Sequence, residues 1–321
     1  MMLISVLVLA SCAPAQTEQD TGDSTARGPQ SLDISFVEGA PPDTVYVEQG
    51  ENPDADFQVA VDIDNVGGFP ESRTGSLNGK LYLTGYDSYV IQGGSWDGGD
   101  SQGNQFNRIP GISDDYPEGD SMRKRFTAET LNFPFDSERH DIPLRLKACY
   151  YYESHISGSV CVDPDPARDS DSDVCNVGQV DIQRQSGPLE VSSISSSGTS
   201  SELILTIEIQ NRGRGEVLRE FKSASPGPVT NDECLNIPEH HEDRDRIGVV
   251  PRITGLGEPD CSPEGTPDEP LRMIDDRGEI VCRYPLEQDQ DATYMTEFDI
   301  TLQYGYMQTE AKDITLINLE R

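Results

Sequence analysis

Phe57-Gln58-Val59-Ala60-Val61-Asp62-Ile63-Asp64-Asn65-Val66-Gly67 has a counterpart later in the chain, Leu203-Ile204-Leu205-Thr206-Ile207-Glu208-Ile209-Gln210-Asn211-Arg212-Gly213. Apolar side chains fall at every second position, at 57, 59, 61 and 63 in the first stretch and at 203, 205, 207 and 209 in the second. A period of two is what a half-buried β-strand demands, because successive side chains leave opposite faces of the pleat. Both stretches close in Asn-x-Gly, which supplies the side chain and the glycine that a turn with positive φ tolerates. Each is preceded by a shorter run, Leu32-Asp33-Ile34-Ser35 and Leu189-Glu190-Val191-Ser192. The order strand, loop, strand, turn therefore occurs twice.

Working outward, Leu81 to Thr84, Leu144 to Tyr152, Val160 to Val162, Ile247 to Ile253, Ile280 to Arg283, Glu297 to Tyr304 and Asp313 to Leu319 are short β-branched or aromatic runs bounded by Gly, Pro and Asp. Only Arg123 to Leu131 and Glu239 to Arg246 read as helical, and both are short and charged. Many short strands with turn signals between them predict an all-β chain of two immunoglobulin-like antiparallel β-sandwiches in tandem. The expected units are residues 31–186, carrying a long loop insertion, and 187–321. The junction is Gln183 to Pro188, around Gly187, followed by a serine-rich loop at Ser192 to Ser201.

An alternating strand closing in Asn-x-Gly near the start of a domain resembles the immunoglobulin-like modules of microbial surface proteins, notably the CARDB type, over residues 31–90 and 188–220. The resemblance implies a sandwich fold and a place at the cell surface. It implies no ligand.

The N-terminus carries an address. Met1 to Cys12 is an apolar run ending in Leu9-Ala10-Ser11-Cys12, too short to span a bilayer and closing on small residues. That tetrapeptide resembles the lipobox of secreted lipoproteins, which implies a signal peptide over residues 1–12 and a lipid on Cys12. Residues 13–30 are polar and rich in Pro, Gly and Thr, as a tether would be.

Asp and Glu number 58 against 24 Lys and Arg, a net charge of -34. Nucleic acid is excluded as a general partner by like-charge repulsion. Lysine occurs only at 80, 124, 147, 222 and 312, and dispersed carboxylates with few lysines resemble the proteins of salt-loving microbes. Seven cysteines fit an oxidising compartment. With Cys12 assigned to lipid, six remain as disulfide candidates in two trios: Cys149, Cys161, Cys175 and Cys234, Cys261, Cys282. No C-x-x-C pair is present, which removes zinc-ribbon and thioredoxin-like readings. Two odd trios can pair fully only if one bond links the halves. A hairpin turning near His155 would set Cys149 opposite Cys161; a Cys161–Cys175 bond across the acidic loop is the alternative.

Chemistry-bearing constellations are sparse. Asp169-Ser170-Asp171-Ser172-Asp173 opens like a calcium loop, with Asp163 and Asp165 as further oxygen ligands, but Val174 stands where a glycine is expected and Val180 where a bidentate Glu is expected. A solvated acidic loop is the plainer reading, and Ca2+ is the one cofactor the sequence suggests. Residues 91–120 hold the only tryptophan, Trp96, beside Asp97 and Asp100, with Asp114 and Asp115 further along. A displayed aromatic there would make a ligand platform; packing back on the sandwich edge is the plainer alternative. His240-His241-Glu242-Asp243 lacks metal-ligand spacing, and no catalytic signature is present.

The expectation is a non-enzymatic, lipid-anchored extracellular protein that acts in cell-surface binding, adhesion or surface-layer structure, with the membrane and another surface protein or a glycan as partners. A solute-binding lipoprotein would need βαβ alternation. A secreted hydrolase on a β scaffold would need a cleft with two carboxylates.

Overall fold

The alternation at 57–63 and 203–209 becomes the second strand of two matching sheets. The structure, a computed structural model, describes residues 30–47, 57–70, 77–97, 104–113, 117–133, 137–165, 174–178, 180–219, 244–266, 268–286 and 292–319. Among these no helix occurs, and the fold is all-β with antiparallel sheets predominating.

One four-stranded sheet has the order β1-β3-β8-β6, from Leu32–Phe36, Gln58–Asn65, Ser121–Thr127 and Ser95–Trp96. A second repeats the pattern as β12-β13-β18-β16, from Leu189–Gly198, Glu202–Asn211, Arg277–Pro285 and Asp260–Ser262. Both lie against a nine-stranded sheet whose spine is two long strands, β10 (Arg139–Val162) and β19 (Tyr294–Asn318). These pair antiparallel without a register break from Arg139↔Ile317 to Val162↔Tyr294. Beside the spine lie β4 (Leu77–Thr84) and β7 (Gln105–Ile109), then β15 (Arg246–Ile253) and β17 (Leu271–Arg272). Three more strands flank it: β2 (Thr44–Val47), β11 (Val180–Gln185) and β14 (Glu216–Leu218). A two-stranded ribbon joins β5 (Ile91–Gln92) to β9 (Thr130–Leu131).

The period of two explains why both four-stranded sheets sit on one face of the large sheet. Every even-numbered residue of β10 from Ile142 to Val162 is buried, while most odd ones are exposed or half-buried. On β19 the buried set Phe298, Ile300, Leu302, Tyr304, Tyr306, Ile314 and Leu316 has the same parity. Because paired residue numbers share parity, one continuous face of the ladder is apolar. Tyr150, on that face, bonds Ser31 beside β1, and Tyr304 receives the backbone N–H of Leu189 on β12.

The neighbours of the spine change at its middle. The first half of β10 pairs with β4 over Arg145 to Tyr150, and the end of β19 pairs with β2. The second half of β10 pairs with β11 over Ile156 to Val160, and the start of β19 pairs with β15 over Phe298 to Gln303. Lobe one is thus β1-β3-β8-β6 over β2-β19-β10-β4-β7, and lobe two is β12-β13-β18-β16 over β11-β10-β19-β15-β17. Each lobe borrows half of a long strand from the other segment of the chain. The strand orders of the lobes correspond on either side of Tyr151↔Gly305, except that β2 joins β19 parallel whereas β11 joins β10 antiparallel, and the halves meet through a continuous ladder as well as through Gly187.

Two expectations are corrected here. Arg123 to Leu131 is not helical: β8 runs from Ser121 to Thr127 and β9 covers Thr130–Leu131. Pairing to β3 along Gln58↔Thr127 to Asp64↔Ser121, with a bidentate Arg123–Asp62 ion pair, overrides a local charge pattern that only mimics a helix. The hairpin at His155 is likewise absent. His155 lies mid-strand, so Cys149 and Cys161 sit on one extended strand, about 40 Å apart at some 3.4 Å per residue, and cannot bond. The other expected helix, Glu239 to Arg246, lies outside the described residues up to 243, and Arg246 opens β15.

Candidate functional site

Cys161 is bonded to Cys175, and Cys261 to Cys282, the latter joining directly opposed residues of β16 and β18. Cys149 is also disulfide-bonded; since the other four described cysteines pair among themselves, its partner lies outside the described residues, as do Cys234 and Cys12.

The ligand-platform expectation for Trp96 is corrected. Its ring is 9% exposed and packs edge-on against Phe126, with centroids 5.6 Å apart, because β6 pairs Trp96 directly opposite Phe126. Asp97 is exposed beside it, its backbone carbonyl accepting from Lys124; Asp100 lies outside the described residues. Of the calcium candidates, Asp163 caps the chain locally, its Oδ1 accepting from the backbone N–H of Asp165 and from the Thr293 hydroxyl. Asp169, Asp171 and Asp173 lie outside the described residues, as do His240, His241, Asp114 and Asp115. Among the described residues no three His, Cys, Asp or Glu side chains come together as metal ligands.

The structure does gather residues at the seam between the lobes, where the two Asn-x-Gly turns meet the middle of the ladder. Asn65 donates through Nδ2 to the carbonyls of Phe69 and Ile109 and accepts from the backbone N–H of Gly67. Asn211 repeats the motif, donating to the Gly215 carbonyl and accepting from Gly213. Each turn is pinned by a tyrosine from a long strand. The Phe69 N–H donates to Tyr152 Oη and the Gly215 N–H to Tyr306 Oη. The glycines are needed for this approach: a Cβ on Gly67 would lie 2.2 Å from Tyr152 Oη, and one on Gly213 would lie 2.1 Å from Tyr306 Oη.

Tyr150, Tyr152, Tyr304 and Tyr306 form a closed ring of near-perpendicular and tilted contacts with centroids 6.0 to 6.2 Å apart. Each such contact contributes about 1 kcal/mol beyond area burial. Burial pushes the Tyr306 phenol up to about 12 and holds Tyr150 and Tyr304 well above the ordinary range, so these three phenols are neutral at physiological pH.

The related seams have diverged. In the first turn, Val66-Gly67-Gly68-Phe69, the Phe69 ring fills the seam, packing edge-on against Tyr151 and Tyr152 and lying 6.4 Å from His155. Under it Glu153 accepts from Tyr151 and Gln303 and lies 3.4 Å from His155. Burial alone would raise the Glu153 carboxyl, but its bonds to His155 and Tyr151 outweigh that and hold it below its usual value. In the second turn, Arg212-Gly213-Arg214-Gly215, glycine stands where Phe69 plugs the first. There a cleft of about 420 Å³ opens, walled by β1, the two arginines and Gln308 to Glu310 of β19. A second cleft, of about 840 Å³, lies between β15 and residues 254–266 in lobe two, with Leu256 and Ile253 on its wall and Glu258, Asp260 and Glu264 among its carboxylates.

No signal short of the fold pairs Arg212 and Arg214 with β1. The Asn-x-Gly repeat was visible, but the difference that matters, Phe69 against Gly215, falls just past it. No protein-family model matches the chain, and no curated protein is similar to it.

Proposed function

We propose that this chain is a lipid-anchored protein of the cell exterior, built of two immunoglobulin-like sandwiches of the CARDB kind and acting by binding at, or helping to build, the cell surface. Support for the fold lies in the strand orders. In an immunoglobulin-type sandwich, strands A, B, E and D form one sheet and C, F and G the other. Reading β1-β3-β8-β6 as A-B-E-D and β4-β10-β19 as C-F-G gives that order for lobe one. Reading β12-β13-β18-β16 and β15-β19-β10 likewise gives it for lobe two, with the two G positions filled reciprocally.

The observation that carries the location is the set of disulfides. Cys161–Cys175, Cys261–Cys282 and the bonded Cys149 are bonds that persist in oxidising compartments and are rare in a reducing cytosol. Together with Leu9-Ala10-Ser11-Cys12, they favour export and anchoring through Cys12. The scaffold then acts by display, offering its seam and its lobe-two cleft to a surface partner, a glycan or another protein.

Membrane fractionation with intact-mass spectrometry tests this. The expected result is membrane-bound protein beginning at an acylated Cys12, released to the soluble fraction by Cys12→Ser. Protein that keeps Met1 unmodified, or a Cys12→Ser variant still on the membrane, would overturn it.

A further inference from the structure

The seam cleft can be assigned a ligand class from its chemistry, an inference that rests on the surface-binding reading and names what that surface binds. Arg212 and Arg214 line it from the second turn, where the related positions of the first turn are Val66 and Gly68. Arg212 is held from behind, its Nε 3.8 Å from Glu190 Oε2, and among the described residues Arg214 has no ion-pair partner. Two arginines line this cleft, at one of two related seams only, and with Asp33 and Glu310 on the same lining they make it locally balanced in charge within a chain of net charge -34. Guanidinium donors match a planar carboxylate bidentately, which a scattered surface lysine does not.

The remaining walls select what carries that carboxylate. Asp33, Thr309 and Glu310 line the same cleft and offer acceptors for hydroxyl groups. Backbone groups of β1 that β3 does not take add to them. Among the described residues β1 pairs only with β3, and because the carbonyl of Ser31 accepts from Val66, the groups of Leu32 and Ile34 point the other way, toward the cleft. Gln308 takes one of these, the Leu32 carbonyl, and is itself fixed by Tyr150. A cleft of about 420 Å³ lies at the small end of the roughly 300–1,000 Å³ range of small-molecule sites.

A dianionic phosphate would bring two negative charges into a cleft that Asp33 and Glu310 also line, and a neutral sugar would leave Arg214 without an ion-pair partner among the described residues. We propose that the inter-lobe cleft binds an acidic sugar residue, its carboxylate on Arg212 and Arg214 and its hydroxyls on the Asp33, Thr309 and Glu310 side.

Calorimetric titration of the full chain with D-glucuronate, D-glucose and L-glutamate tests this. Glucuronate is expected to bind saturably and at least tenfold more tightly than glucose or glutamate. The Arg212→Gln/Arg214→Gln variant, checked for an unchanged melting temperature, is expected to lose at least tenfold. Single Arg214→Gln, which leaves the Glu190 pair intact, is expected to lose several-fold and serves as the readout should the double variant misfold. No saturable glucuronate binding, equal affinity for glucose, tighter binding of glutamate, or undiminished binding by the arginine variants would overturn the assignment. Glucuronate binding by a chain that fractionates away from the membrane would count against the anchoring proposal and leave the cleft assignment standing; an anchored chain without binding would do the reverse.

Discussion

Asn65 and Asn211 hold equivalent turns in unequal surroundings, and that difference sets what each is worth. Asn65 is fully buried and satisfies two carbonyls and one N–H, whereas Asn211 is half-buried and its Nδ2 also reaches the exposed Asp276. Leaving buried backbone groups unsatisfied costs about 1–3 kcal/mol each, and water can reach the second site. Asn65→Ala should therefore lower unfolding stability by about 3 kcal/mol and Asn211→Ala by about 1 kcal/mol, as read by urea titration. At Glu153 the sign is set by its hydrogen bonds. Its folded-state pKa lies below the usual 4.5, so its contribution is present above the unfolded value and lost as pH falls through the folded one. Melting temperature followed from about pH 6 down to about pH 3 should fall less steeply in Glu153→Gln than in the parent chain. The two turns were legible in the sequence from Asn-x-Gly, but their geometry was not: neither Gly67 nor Gly213 takes the positive φ expected there, and each is glycine because a tyrosine hydroxyl approaches closely. The tyrosine clamps were not, since nothing local to Tyr152 or Tyr306 names a glycine far away in the chain.

Strands were legible wherever alternation was strong, as in β3, β13 and the Phe298 to Tyr304 part of β19. The misreading of Arg123 to Leu131 has a physical source: one face of β8 meets solvent with Ser121, Arg123 and Arg125, so charge hides the period of two. The five described candidate cysteines are disulfide-bonded, and the length of β10 decided which of them can pair. Closing a loop of this size removes unfolded-state entropy equivalent to about 3 kcal/mol. For Cys161 and Cys175, 14 residues apart, Cys161→Ala/Cys175→Ala should cost about that much in chemical denaturation. Non-reducing peptide mapping should in addition join Cys149 to Cys234, the bridge between the halves that two odd trios require; a Cys149–Cys161 peptide would contradict the unbroken strand.

For the whole molecule, charge and topology govern behaviour. A net charge of -34 destabilises the compact state by self-repulsion, which salt screens as the Debye length falls from about 10 Å at 0.1 M to about 3 Å at 1 M. The melting temperature should rise between about 0.1 M and about 2 M KCl, and a flat response would remove the halophile-like reading. The alternating runs and their repetition at 57–67 and 203–213 made the all-β class and the duplication legible, but not the exchange of strand halves. A period of two says which face a residue occupies and nothing about which strand lies beside it. Hence the sequence reads as two successive units, while β10 and β19 each serve both lobes. Hydrogen–deuterium exchange across 149–153 and 303–307 measures this most directly. If the lobes share one ladder, the backbone amides around the tyrosine quartet should be among the slowest to exchange in the molecule, opening only with global unfolding. Exchange there within minutes, with the cores of β3 and β13 still protected, would mean two independent units and would contradict the shared ladder.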